Sequence, residues 1–172
     1  MKRGLFRWIN LWPPLLGAGI RVVHSSEDLR SIEVEMKLTR LNRNYVGTHF
    51  GGSLFAMTDP FYMIMLKHAL GPGFVVWDKA GSIRFRRPGI STVRAHFQLT
   101  EEQIAEARAA LERDGIYEPR LSVDVVDPEG EVVCVVERLL YCATKQVHEA
   151  RVSARSLRES GESTNMQQRR RP

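Results

Sequence analysis

Apolar and polar residues alternate from Ser31 to Leu38, with Ile32, Val34, Met36 and Leu38 in one phase. That period of two predicts a strand buried on one face. Ile20 to Val23 is a shorter run of the same kind, and Thr39 to Phe50 is polar and predicts a loop. The pattern changes at Gly52. From there to Leu70 the chain is apolar nearly all the way round a helix, through Leu54, Phe55, Met57, Phe61, Met65 and Leu66. A helix with no polar face is a buried one, and Gly71-Pro72-Gly73 stops it. Pro60 removes a backbone donor from the middle of this stretch, so the regular helix either begins near Thr58 or Asp59 or kinks there.

Strand patterns return at Phe74–Trp77, Ser82–Arg86, Thr92–Leu99, Leu121–Val126 and Glu131–Tyr141. Asp127-Pro128-Glu129-Gly130 joins the last two as a hairpin turn. Between them, Thr100 caps a surface helix that has an acidic first turn and runs to Gly115. The order predicts an α+β fold in which an antiparallel sheet wraps around one long central helix. Residues 1–18 read as an N-terminal amphipathic helix, with Leu5, Trp8, Ile9 and Trp12 on one face and Pro13-Pro14 ending it. Residues 19–144 form the folded domain. Residues 145–172 read as a disordered basic tail, because apolar periodicity gives way to Ser, Glu, Arg and Gln.

A chain of 172 residues that is 43% hydrophobic has enough apolar content for one domain with a substantial core. The net charge of +5 is concentrated at the ends, in Lys2, Arg3, Arg7, Arg151, Arg155, Arg158 and Arg169-Arg170-Arg171. No zinc-finger spacing, RNA-binding aromatic signature or recognition-helix motif accompanies it, so no nucleic-acid partner is expected. Arg7, Asn10 and two prolines interrupt the apolar residues near the N-terminus, which predicts neither a secretory signal nor a membrane span. Cys134 and Cys142 share one phase of a single strand and lie too far apart along it to bond. Buried thiols fit a reducing cytoplasm.

The chemistry concentrates between Asn44 and Asp59. A Gly51-Gly52 pair allows close backbone approach to a ligand, and a lone carboxylate, Asp59, follows inside the apolar segment. Burial of Asp59 would raise its pKa and suit it to act as a general base; equally, it is a favoured N-cap before Pro60. Asn44 is either a turn residue or one that orients water. His49 is either a loop histidine or catalytic, and the glycines either make a turn or bind an oxyanion. Arg84, Arg86 and Arg87 form a basic strand end, suited to phosphates, to solvent or to a subunit interface. Met57, Met63 and Met65 read first as core and second as an adaptable pocket lining. Trp77-Asp78-Lys79 is unusual at a strand start and receives no role.

The stretch Asn44-Tyr45-Val46-Gly47-Thr48-His49-Phe50-Gly51-Gly52 through Asp59 resembles the active-site segment of the hotdog-fold acyl-CoA thioesterases of the phenylacetate-pathway type. In that family an Asn precedes an H-G-G turn, and a catalytic Asp follows seven residues after the second glycine. Asn44, Gly51-Gly52 and Asp59 match in register, whereas Phe50 stands directly before the glycines and His49 one position earlier. The whole span from Leu5 to Thr144 is similar to a bacterial hotdog family of unassigned function.

The resemblance implies an acyl-CoA hydrolase with Asp59 as general base or nucleophile and the Gly51 N–H as oxyanion donor. Asn44 and His49 would be further catalytic residues, and Gly52, Arg84, Arg86 and Arg87 would bind substrate. It implies no metal or other cofactor, coenzyme A entering only as part of the substrate. It also implies a homodimer or tetramer whose site forms between subunits, with Asp59 supplied by the partner. The alternative on the same scaffold is a non-catalytic acyl- or CoA-binding protein. A hotdog dehydratase would need a paired Asp/His arrangement that is not visible.

Overall fold

The computed structural model describes residues 8–168, with side chains to residue 156. Lys2, Arg3, Leu5, Arg7 and Arg169 to Arg171 lie outside the described residues, as does the Arg158 side chain. The elements run α1 (Pro13–Ala18), β1 (Ile20–Ser25), β2 (Ser31–Met36), α2 (Gly51–Ala56), α3 (Phe61–Leu70), β3 (Phe74–Phe85), β4 (Val93–Gln98), α4 (Glu101–Asp114), β5 (Ile116–Tyr117), β6 (Arg120–Val126), β7 (Val132–Thr144) and α5 (Lys145–Gln168). The strands pair antiparallel in the order β1-β2-β4-β6-β7-β3, with the two-residue β5 also on β7.

The alternation sets the inward rows. Ile32, Val34 and Met36 of β2 pair with Phe97, Ala95 and Val93 of β4, and all six are fully buried. Val123 and Val125 of β6 continue the row toward Val136 and Cys134 of β7. Across this face lies α3, burying Phe61, Tyr62, Met65, Leu66 and Leu70. Phe97 is the meeting point: its ring centroid lies 5.0 Å from that of Phe61 and 5.1 Å, edge to face, from that of Tyr62. The Tyr62 hydroxyl donates to the Ser122 carbonyl at 2.8 Å, which satisfies the polar end of an otherwise apolar contact.

The central helical stretch is two helices rather than one. Pro60 has no N–H to offer the Ala56 carbonyl, so the ladder tightens before it: Thr58 N–H donates to Phe55 and Asp59 N–H to Ala56. Regular structure resumes only at Phe61, with Met57 to Pro60 as the break. The two apolar runs at Phe74–Trp77 and Ser82–Arg86 are one continuous edge strand, β3, with a bulge between Asp78 and Ala80. Because one extra residue sits at Lys79, the inward phase passes from Val76 and Asp78 to Gly81, Ile83 and Phe85.

Trp8 and Ile9 are helical and the chain turns at Asn10 and Leu11, after which Pro13 and Pro14 begin a further helix. They occupy its first two positions, where no N–H is required, and α1 buries Leu15 before Gly19 ends it at φ +74°. Of the proposed apolar face, Ile9 packs on the core while Trp8 and Trp12 remain exposed. The expected disorder after Lys145 is also corrected, since the chain is helical from Lys145 to Gln168. Its first turn is docked by contacts invisible to local composition. Val147 packs over Gly115, and the His148 ring stands edge-on to Trp77, which in turn stacks on Tyr141 at 4.8 Å. The surface helix α4 forms as patterned, with reciprocal Thr100–Gln103 capping and Gly115 at φ +69° closing it.

Cys134 and Cys142 are free, fully buried thiols on β7. Burial pushes both up to about 12. Among the described residues, no helix is long and apolar enough to cross a membrane. The aromatic junction on Phe97 yields a direct expectation. Phe97→Ala should destabilise the fold by about 3–5 kcal/mol through lost burial and the cavity left behind. Urea unfolding tests this, and a loss below about 1 kcal/mol would mean the junction is not the centre of the core.

Candidate active site

The loop before α2 is held by its own polar groups. The Asn44 amide nitrogen donates to Thr48 Oγ1 at 2.8 Å and to the His49 carbonyl at 3.3 Å. Its oxygen accepts from the N–H groups of Val46 and Thr48, each at 3.1 Å. Donors and acceptor of the Asn44 side chain are thus engaged inside the loop. His49 is buried. Its Nε2 donates to the Ser91 carbonyl at 2.8 Å, and its backbone N–H donates to Gly89. Nδ1 is buried with no partner, and desolvation holds the imidazole below its ordinary pKa, toward the neutral form.

This loop delivers the chain to Gly51 and Gly52 in the first turn of α2, which begins after Phe50. No acceptor for either N–H is found among the described residues. A side chain at either glycine would displace a neighbouring ring. A Cβ on Gly51 would lie 2.8 Å from Phe85 Cζ, and one on Gly52 would lie 2.4 Å from Phe50 Cε1. A cleft of about 400 Å³ opens here, lined by Asn44, His49, Gly51, Leu54, Phe85 and Arg87 among others. Phe50 and Phe85 are more than half exposed beside it, so the cleft mouth is aromatic.

The three arginines behave differently. Arg87 is committed to Asp127 and Glu131 of the β6–β7 hairpin. Arg84 and Arg86 are exposed on or just beyond β3 and have no side-chain partner among the described residues. Only these two remain available to an anionic ligand.

Asp59 does not line the cleft. It sits in the break beyond α2, on the order of 10 Å further along the chain axis. It does not cap α3 either, whose N-cap is Pro60 with no side-chain bond. Its Oδ1 instead accepts from Arg138 Nη1 at 2.9 Å, the Asp59 side chain being 56% exposed and that of Arg138 3%. Arg138 Nη2 donates to the Phe55 carbonyl at 2.9 Å and to Thr58 Oγ1 at 3.0 Å, and the guanidinium lies 4.1 Å over the Phe55 ring.

Arg138 is absent from the sequence-derived site, yet a signal was available. It shares the inward phase of Cys134, Val136, Leu140 and Cys142, all fully buried. Asp78 has the same history. It is inward on β3 opposite Leu140, two pairs along from Gly81 and Arg138. Its Oδ1 is buried without a partner. Burial pushes the Asp78 carboxyl up to about 6, with Arg138 pulling it down and Asp59 adding to the rise.

Comparisons identify the architecture. PA5026 of Pseudomonas aeruginosa, described as a protein of unknown function and probable thioesterase, superposes with a TM-score of 0.75 at 21% identity over 84% of this chain and 97% of its own. The Haemophilus influenzae thioesterase HI1161 gives 0.62 at 18% identity, over 84% of this chain and 91% of that one. PaaI from the E. coli phenylacetic acid degradation operon gives 0.56 at 16%, over 83% and 91%. The fold is therefore the hotdog fold. The chain belongs to the family described as a domain of unknown function, DUF4442, whose model matches residues 3–142. No curated protein matches it.

The buried carboxyl at Asp78 has a measurable consequence. A carboxyl raised in the folded state stabilises the fold fully below its unfolded value of about 3.8, and that contribution is lost as pH rises through about 6. Asp78→Asn should therefore gain stability relative to the parent chain between about pH 4 and pH 7, by up to about 3 kcal/mol. Urea midpoints across that range read the difference, and a pH-independent gap would contradict the assignment.

Proposed function

We propose that the protein is an acyl-thioester hydrolase of the acyl-CoA class, working as a homodimer or higher oligomer in the cytoplasm. The observation that carries this reading is the Gly51 N–H, in the first turn of α2, with no partner among the described residues and part of the wall of an aromatic-mouthed cleft. An amide fixed by the fold can accept the growing negative charge on a thioester oxygen without reorganising.

The chemistry needs a second group to activate water or to attack the carbonyl, and Asp59 is the candidate. Its separation from the cleft within one chain is what a site shared between two copies would require. Asp59 of one copy would take the proton of the attacking water, or attack the carbonyl carbon itself, at the Gly51 of the other. The tetrahedral intermediate then collapses and breaks the C–S bond. After attack by water, the departing thiolate takes the proton held by Asp59 and the carboxylic acid is left. After direct attack, the thiolate is protonated from solvent and water hydrolyses the Asp59–acyl anhydride to return the carboxylate. Arg84 and Arg86, whose side chains have no partner among the described residues, are suited to the phosphates of coenzyme A. Leu54, Phe50 and Phe85 offer apolar surface to the acyl group. Asn44 supports the reaction by holding the loop, and the neutral His49 by fastening it to Ser91. Free, buried thiols are consistent with a reducing compartment.

One observation favours a second reading, a non-catalytic acyl- or CoA-binding protein. The Phe50 ring lies against Gly52 at the position where the resembled thioesterases carry histidine. The two readings separate in one assay. CoA release is measured from short, medium, long and aromatic acyl-CoAs, with the parent chain and with Asp59→Asn. The hydrolase reading expects turnover of at least one thioester and a loss of about 100-fold in the variant. Turnover that survives Asp59→Asn removes Asp59 from the reaction. Retained CoA binding without release from any thioester favours the binding protein.

A further inference from the structure

The buried cluster behind Asp59 is built more elaborately than a structural ion pair needs. Arg138 projects from the middle of β7 between Leu121 of β6 and Gly81 of β3. Gly81 is what admits it: a Cβ there would lie 2.8 Å from Phe55 Cζ and 3.1 Å from Arg138 Nη1. The guanidinium passes over this gap and grips the α2–α3 break at Phe55, Thr58 and Asp59. Asp78 lies on the same inward face of the β3–β7 pair, two register positions along, with Oδ1 buried and unbonded. Arg138 Nε is likewise buried and unbonded, so an acid oxygen and a guanidinium nitrogen are both left over on this face beside the Arg138–Asp59 pair.

We propose that Arg138 and Asp78 are positioning residues of the same site as Asp59, Arg138 fixing the Asp59 carboxylate and Asp78 competing for the same guanidinium. This rests on the hydrolase reading for its catalytic meaning, though not for the coupling itself. When Asp78 is protonated, Arg138 has one carboxylate to neutralise, and its two-point grip on the helix break holds Asp59 at the cleft of the neighbouring copy. When Asp78 ionises, a second negative charge faces the same cation. The charged groups around Asp78 are Arg138 from β7 and Asp59 from the break. Lys79, next to it on β3, pairs with Glu118. Burial already holds Asp78 near 6, so the competition falls in a range that a pH profile can read.

The test uses the full chain in two independent arms. In the first, carboxyl-13C aspartate resonances are followed against pH, with Asp78→Asn assigning the Asp78 signal. Asp59→Asn, which removes a negative neighbour, should lower the Asp78 midpoint; Arg138→Gln, which removes the cation, should raise it. A midpoint unmoved by both variants overturns the coupling, and the exposed position of Asp59 keeps that variant informative if Arg138→Gln does not fold.

In the second arm, kcat and KM are measured against pH for octanoyl-CoA and benzoyl-CoA. Arg138→Gln should lower kcat by about 100-fold, the scale of a misplaced catalytic group, with KM within about two-fold. Arg138→Lys should restore part of the loss, and Asp78→Asn should abolish the inflection near pH 6. Equal activity in all variants with an unchanged pH profile overturns the positioning role. Moved midpoints with no turnover of either thioester by the parent chain would sink the hydrolase reading while the charge coupling stands.

Discussion

A guanidinium taken out of water inside a sheet costs several kcal/mol unless its hydrogens are engaged and its charge is answered. Arg138 meets part of that requirement, with a carbonyl in the last turn of α2, a hydroxyl in the helix break, a carboxylate at the surface and the face of Phe55, while its Nε stays buried without a partner. Much of the local structure follows from the same demand. The strand beside it carries glycine at the paired position, the helix stops where its carbonyl is wanted, and the carboxylate is held half in solvent. An apolar residue at 138 would suit the sheet as well or better on burial alone. The retained charge therefore orders the break more than it strengthens the core.

The cleft is assembled by the opposite means, through absence of side chains. Gly51, Gly52 and Gly89 each leave room for a ring, from Phe85, Phe50 and His49 respectively. As the first residue of α2, Gly51 has no intrahelical acceptor for its amide, and none is found elsewhere among the described residues. Asn44 and His49 spend their hydrogen bonds on keeping this loop in shape. Cleft and carboxylate are parts of one chain but not of one cavity.

Most of the fold was legible in the alternation of residues, because a period of two survives wherever one face of a strand is buried. The Thr100 cap, the Asp127–Gly130 hairpin and the inward row of β2 are all local signals, and all three appear as read. Asp59 stood out as a lone acid in apolar sequence. Arg138 did not, because Glu137 beside it makes the pair look like a solvated interruption; only the phase shared with Val136 and Leu140 reveals the inward side chain. Asp78 was hidden by the bulge at Lys79, which breaks the parity that would have placed it. Pro60 signalled trouble but not its outcome, since a late start, a kink and a full break all satisfy a missing N–H. The docking of Val147 and His148 depends on Gly115 and Trp77, some 30 and 70 residues earlier, and no local composition could contain it.

The two thiols of β7 make the strand its own recorder. Cys134 lies opposite Phe85, at the end of the sheet that meets the cleft, while Cys142 lies opposite Val76, near the dock of the last helix. Neither is reactive while the strand is covered, because burial holds both in the protonated, non-nucleophilic form. Each would react with an alkylating reagent only during an opening of its own end of the molecule. Their relative rates of capture would tell which end of the sheet breathes first, in the unaltered sequence and without any introduced probe.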